Sequence, residues 1–316
     1  MPEPYRTYVR ERADSITREI APVVGEIDTQ LCPRTILPDE RVFDSPDSVI
    51  YGSVVAELHH GDKSVIYSLL LPDASRGRAV FSIEAAEAFA EMEFRQGNRV
   101  RVKDSTESDG LGQETVETLD ELREVLATIN DLPGRGAVVM PYFDQIHDRF
   151  SVGLIDLGSA GSFQYVGREN ITLHEGREVY GGSDLAVYQD SDERVIKLAG
   201  EVLQIPEQIR SRGLDAIERY RNRALETGRI SVDIIRGTAD NGERLEETVD
   251  VTARIGGATP AEVLAIREVV DSPAAVAFAR SRLLYAPEQR PVNGTNFVDT
   301  DSLIINAEVT KVEDVR

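Results

Sequence analysis

Apolar and polar positions change period several times along this chain, and each change marks an element. Tyr5 to Ile20 carries a helical spacing, followed by a stretch punctuated by Pro33, Pro38 and Pro46. From Ser48 the spacing tightens: Val49 to Val55 reads as a strand, while Ser64 to Leu71 fits strand or helix. Ile83 to Phe94, rich in alanine and glutamate, predicts a helix. Arg99 to Lys103 alternates as a strand does, a glycine-bearing loop follows, and a second helix is expected over Leu119–Leu126. The strand Gly136–Met140 stops at Pro141. Short strands are then expected over Phe150–Leu157, Ser162–Val166 and Ala186–Gln189, before a helical stretch from about Ala199 to Glu226 that breaks near Pro206. Two further strands precede helices over Pro260–Val269 and near Ala274–Leu284, and a strand near Ser302–Val309 comes last. Strands and helices mixed in this order predict an α+β or α/β protein.

Composition narrows the picture. With 316 residues there is material for one large or two to three small units. The formal charge of −21 makes nucleic acid and anionic membrane poor partners, because phosphate attraction needs a basic surface. Acidic residues spread along the chain, with arginine far commoner than lysine, fit a halophilic, cytoplasmic protein; they equally fit an ordinary acidic one. A single cysteine, Cys32, excludes an internal disulfide, and the four histidines lack ligand-like spacing. The amino terminus has no apolar leader pattern and no run is long enough to span a bilayer, so a soluble protein is expected.

Candidate chemistry begins with an acidic hairpin. Ile230–Ile235 and Thr248–Arg254 flank Asp240-Asn241-Gly242, and Asn-Gly is a strong two-residue turn signal. With Asn241-Gly242 as the turn, Asp233 faces Asp250, and Asp250, Thr252 and Arg254 share a face. Opposed carboxylates repel unless a cation or a shared proton relieves them, and oxygen ligands of this kind suit Mg²⁺. A solvated strand face is the plainer explanation, and a slipped register or a bulge parts the two acids. Beyond them, Gly256-Gly257 precedes a helix start, with Thr259 expected as N-cap, Pro260 at N1 and Glu262 at N3.

Lysine is scarce, with four against 31 arginines. Lys63 lies in His-Gly-Asp-Lys-Ser. Lys103 ends a strand and opens Asp104 to Gln113, which contains Gly110 and Gly112. A lysine is a compact point charge suited to phosphate oxygens, so both positions ask for a specific role.

These parts, in this order, resemble the ATP-grasp superfamily, and more closely a group of uncharacterised ATP-grasp-like proteins sharing the flavour of Glu178–Leu185 and Ala253–Thr259. The resemblance spans about residues 50 to 285. It implies an ATP-grasp-type α+β fold, in which two α+β subdomains enclose a nucleotide cleft. Residues 1–62 would be a reduced amino-terminal region, 63–145 the small subdomain, 146–285 the large subdomain and 286–316 a strand and tail. It implies ATP and Mg²⁺ as cofactors. Lys63, Lys103, Gly110 and Gly112 would hold the phosphates, Met140, Tyr142 and Phe143 would read adenine, and Asp144 or Asp148 would hold the ribose. Asp233, Asp250 and Thr252 would ligate the metal, with Thr252 where the family has asparagine. Arg254 and Lys103 would carry catalysis, and Gly181, Gly182, Ser183, Asp184, Gly256 and Gly257 would meet the substrate.

The activity so implied is ATP-dependent ligation, in which a small-molecule carboxylate becomes an acyl phosphate that an amine, or less often a thiol, displaces. The alternatives are a small-molecule kinase or a nucleotide-binding regulator without turnover, which Thr252 and the short front region favour. A homodimer is compatible with all three.

Overall fold

The computed structural model describes residues 76–104, 112–156, 161–174, 176–189, 193–221, 229–252, 257–270, 272, 274–285, 291, 293–299 and 303–314. The expected elements before residue 76 lie outside the described residues, as do Lys63, Gly110, Arg254 and Gly256. The protein is α+β. Its described residues fall into two compact units, one of 76–149 with 232–251, the other of 150–231 with 252–314. The acidic hairpin therefore groups with the earlier segment and not with the strands that flank it in the chain.

The first unit contains β1 (Arg78–Val80), α1 (Ile83–Arg95), β2 (Val100–Asp104), β3 (Gln113–Val116), α2 (Leu119–Thr128), α3 (Leu132–Arg135) and β4 (Ala137–Pro141). Its sheet runs β1-β4-β2-β3, antiparallel throughout, with Arg101 opposite Met140 and Lys103 opposite Val138 and Gln113. The two helices form where the apolar spacing predicts them. Ser82 caps the first by accepting from the Ala85 N–H, and Thr118 caps the second by accepting from Glu121. Strand alternation sends Val100, Val102, Val116, Ala137 and Val139 to one face, where Phe89, Ala90, Leu122 and Leu126 of the helices cover them. The opposite face carries Arg101, Lys103, Val138 and Met140.

The chain passes between the units within β5 (Phe143–Asp156), β8 (Arg229–Ala239) and β9 (Arg244–Thr252). In the first unit, Met140 and Phe143 pack against Ala239, Leu245 and Val249, which sets the hairpin of β8 and β9 against the face that bears Arg101 and Lys103.

The second unit adds β6 (Ser162–His174), β7 (Arg177–Gln189), α4 (Glu193–Leu203), α5 (Glu207–Arg221), α6 (Thr259–Val269), β10 (Ala275–Tyr285), β11 (Thr295–Asp299) and β12 (Leu303–Asp314). Its strands order as β11-β12-β10-β7-β6-β5. Helix α6 lies on one face, against Phe163, Tyr165, Leu185, Val187 and Ala277. Three expectations change here. The segment expected as a helix near Ala274–Leu284 is the strand β10. Its alternate alanines, Ala275, Ala277 and Ala279, sit in the core beside α6, so packing overrides the helix propensity of alanine. The short strands expected at 150–189 are long ribbons of 14, 13 and 13 residues. The helical stretch expected from Ala199 starts earlier, at Glu193, and breaks over 204–206, with Gln204 at φ 54°.

Candidate functional site

Lys103 is 7% exposed, on the sheet face away from the helices. The next residue, Asp104, donates its N–H to the Gly112 carbonyl at 2.8 Å, and Gly112 takes φ 62°. The glycine-bearing segment is thus a β2–β3 hairpin loop whose foot is closed beside Lys103. Left-handed backbone at that foot suits glycine and few other residues.

Met140 is 2% exposed and Phe143 is buried with it. Tyr142, between them, donates its N–H to the Arg99 carbonyl at 3.0 Å, and its ring lies under two guanidinium groups, 4.3 Å from Arg99 and 5.2 Å from Arg101. Arg99 is neutralised by Asp240 at 2.8 Å and Asp144 at 3.3 Å. The hydrogen bonds with Asp240 raise the Arg99 pKa and hold the Asp240 carboxyl below the usual carboxylate range. Asp148 lies 4.0 Å from Arg236, which also pairs with Glu246 at 2.8 Å. Both ribose candidates, Asp144 and Asp148, therefore already face an arginine.

The hairpin differs from expectation at its tip. Ala239 donates its N–H to the Glu243 carbonyl and Gly242 donates to the Ala239 carbonyl, both at 2.9 Å, with Gly242 at φ 83°. The loop is three residues, Asp240 to Gly242, and not the two-residue Asn241-Gly242 turn. Asn241 instead accepts from the Glu243 N–H through its side chain, at 2.8 Å. A regular ladder from this closure sets Asp233 against Val249 and Asp250 against Val232, which would part the acids. Burial along β8 indicates an irregularity. Gly237 and Ala239 are buried near the tip, Val232 and Ile234 are buried further down, and Ile235 and Arg236 between them are both half-buried. Along β9, Leu245, Glu247, Thr248, Val249 and Val251 are buried while Glu246, Asp250 and Thr252 are half-buried. Asp233, Asp250 and Thr252 are each half-buried.

Among the described residues no group of three or more His, Cys, Asp or Glu side chains has a metal-holding arrangement. Asp233 and Asp250 offer carboxylate oxygens as donors to a hard cation. Those donor types fit Mg²⁺, which keeps water or phosphate oxygens in its remaining positions. The Asp250 carboxylate accepts from the Val251 N–H at 2.9 Å.

In the second unit the two motifs singled out in the sequence meet. A Cβ on Gly257 would lie 2.4 Å from the Tyr180 ring, so only glycine lets that ring approach. The Tyr180 and Ser183 hydroxyls lie 2.6 Å apart, and the Tyr180 carbonyl accepts from the Tyr285 hydroxyl at 2.9 Å. Gly182 has φ 124°, and a Cβ there would strike the Ser281 carbonyl at 2.1 Å. Ser183 is buried and donates its N–H to the Ser281 hydroxyl, whereas Asp184, on the opposite strand face, pairs with Arg280 and Asn170.

The helix start after this turn is also corrected. Ala258 is the N-cap and Thr259 the first helical residue, with no side-chain cap. The Glu262 carboxylate does not reach back to the cap because the buried Arg229 takes it, at 2.6 and 3.1 Å. Arg229 also donates to the Thr252 carbonyl at 3.1 Å and the Ser231 hydroxyl at 3.1 Å. Arg229 and Arg101 were not singled out from the sequence. The alternation Arg99-Val100-Arg101-Val102-Lys103 contained the signal for Arg101; nothing local marks Arg229.

The family model described as "Protein of unknown function (DUF3182)" matches residues 65–306, and the chain belongs to that family. No curated protein matches the sequence. Among solved structures, the chain is similar to N5-carboxyaminoimidazole synthetase from Staphylococcus aureus complexed with ADP, at 11% identity and TM-score 0.49, over 82% of this chain and 70% of that one. It is similar to the biotin carboxylase domain of Hydrogenobacter thermophilus 2-oxoglutarate carboxylase, in complex with MgADP, ADP and bicarbonate, at 10% identity and TM-score 0.46, over 84% and 64%. The D-alanine-D-alanine ligase from Coxiella burnetii matches at 12% identity and TM-score 0.37, over 65% and 51%. No helix among the described residues is long and apolar enough to cross a membrane.

Proposed function

We propose that this protein is an ATP-grasp-type enzyme that activates a small-molecule carboxylate as an acyl phosphate for attack by an amine or, less often, a thiol. One observation carries the reading. A nearly buried lysine, Lys103, stands at the closed foot of a glycine-bearing hairpin, in the unit that also holds the acids Asp233 and Asp250. A lysine ammonium is a compact point charge suited to phosphate oxygens, and glycines next to it in the sequence permit close approach of a ligand.

In this reading Lys103, with Lys63, Gly110 and Gly112, holds the phosphate chain. Met140, Tyr142 and Phe143 line the base, and Asp144 or Asp148 meets the ribose. Asp233, Asp250 and Thr252 would hold Mg²⁺, which when bound offsets the charge of the transferring phosphoryl group. Arg254 and Lys103 stabilise the charge that spreads over that group, since phosphoryl transfer asks for positioning and cations more than covalent chemistry. Gly181, Gly182, Ser183, Asp184, Gly256 and Gly257 form the acceptor side; the close packing of Gly257 on Tyr180 supports placing these two motifs together.

Incubation with ATP, Mg²⁺ and a panel of carboxylic acids, with hydroxylamine as trapping nucleophile, tests the activity. Acid-dependent release of ADP and phosphate with hydroxamate formation is expected. A stable phosphoester in place of hydroxamate would favour the kinase reading. Nucleotide binding without acid-dependent turnover would favour the regulator, which the hydroxyl of Thr252 in place of an amide carbonyl supports.

A further inference from the structure

We propose that Arg101 is a second anion-binding side chain on β2, gripping the phosphate chain of the nucleotide beside Lys103. This rests on the nucleotide reading above and adds a residue that the resemblance does not supply. The two residues share a strand face, two positions apart, which sets their Cα atoms about 7 Å from one another. Arg101 lies opposite Met140 and Thr115, and Lys103 opposite Val138 and Gln113, so one face of one sheet presents both cations.

The partners of the arginines on this face separate their roles. Arg99, two residues earlier, has three carboxylates within 4 Å, those of Asp240, Asp144 and Glu117. Arg101 makes no ion pair with a described residue, and its Nε is buried without a hydrogen-bond partner. It contacts Tyr142, whose ring centroid lies 5.2 Å from the guanidinium carbon and whose side chain shares a hydrogen bond with it, and it is attracted to Glu114. Burial pushes its pKa below the ordinary arginine range. A half-buried guanidinium so placed has lost water at its Nε without gaining a close carboxylate, and an unsatisfied donor costs free energy until a ligand meets it. A phosphate oxygen satisfies both the charge and the free N–H. Lys103, two residues along the same strand face, sets a second cation beside Arg101, and a ligand with more than one negative group, such as a polyphosphate, would meet both.

The test measures calorimetric binding of ATP, tripolyphosphate and adenosine to the full chain and to its Arg101→Met and Arg101→Lys variants. Arg101→Met is expected to weaken ATP and tripolyphosphate at least tenfold each and to leave adenosine within twofold, while Arg101→Lys recovers part of the loss. The melting temperature of the nucleotide-free Arg101→Met protein is expected to equal or exceed that of the parent, because the substitution removes a half-buried charge whose Nε has no partner. A purely structural arginine would lower it. Parent-like ATP binding by Arg101→Met overturns this inference alone, as does a loss confined to adenosine. Failure of the parent to bind any of the three overturns the nucleotide reading with it.

Discussion

Arg229 and Glu262 form a two-pronged ion pair at 2.6 and 3.1 Å, with side chains only 2% and 0% exposed. The same guanidinium donates to the Thr252 carbonyl, so it ties the end of β9 to the first turn of α6 across the segment that contains Arg254 and Gly256-Gly257. Buried pairs of this kind seldom add net stability over an apolar core, but losing one partner leaves an uncompensated charge. Glu262→Ala should therefore cost about 3 kcal/mol or more, read as a lower urea midpoint. Arg229→Met with Glu262→Leu should regain most of it. Equal midpoints for the single and double variants would mean that the pair is not what holds this turn.

Gly257 and Tyr180 make a second testable contact. Gly257→Ala places a methyl group against the Tyr180 ring and should lower the melting temperature. Tyr180→Ala in the same chain should relieve the clash, so the double variant melts higher than the sum of the two single losses predicts. Strict additivity would separate the two motifs.

The pH dependence of stability should show the Arg99–Asp240 pair. Arg99 depresses the Asp240 pKa below its ordinary 3.8. The pair's stabilisation is thus fully present above about pH 4 to 5 and fades as pH falls through the lowered value. The side chains are 32% and 16% exposed, so screening limits the effect to about 1 kcal/mol. The melting-temperature gap between the parent and Asp240→Asn should be constant from pH 5 to 7 and shrink toward pH 3. A gap that widens on acidification would contradict the pairing.

Much of the first unit was legible from local chemistry. The helices over Ile83–Arg95 and Leu119–Thr128 followed from composition and apolar spacing, and the loop after Lys103 from its glycines. What sequence could not supply were effects that depend on distant partners. Asn241-Gly242 looked like a two-residue turn, but Gly242 closes a three-residue loop. Ala275–Tyr285 carried alanine at helical density, yet it is the neighbouring α6 that decides its form. Arg101 shares the alternating strand pattern of Arg99, and what separates the two is the set of carboxylates around Arg99 and the buried, unpartnered Nε of Arg101. Arg229 takes its role from Glu262, 33 positions away.

The most direct test of the account is nucleotide binding at Lys103. Thermal melting with 5 mM MgATP (roughly the millimolar excess at which a micromolar ligand raises stability by several kcal/mol) should shift the parent upward. Lys103→Ala should melt at a temperature similar to the parent without nucleotide and show no shift with it. An Lys103→Ala protein that is stabilised by MgATP as much as the parent, or a parent that MgATP does not stabilise at all, would contradict the central claim.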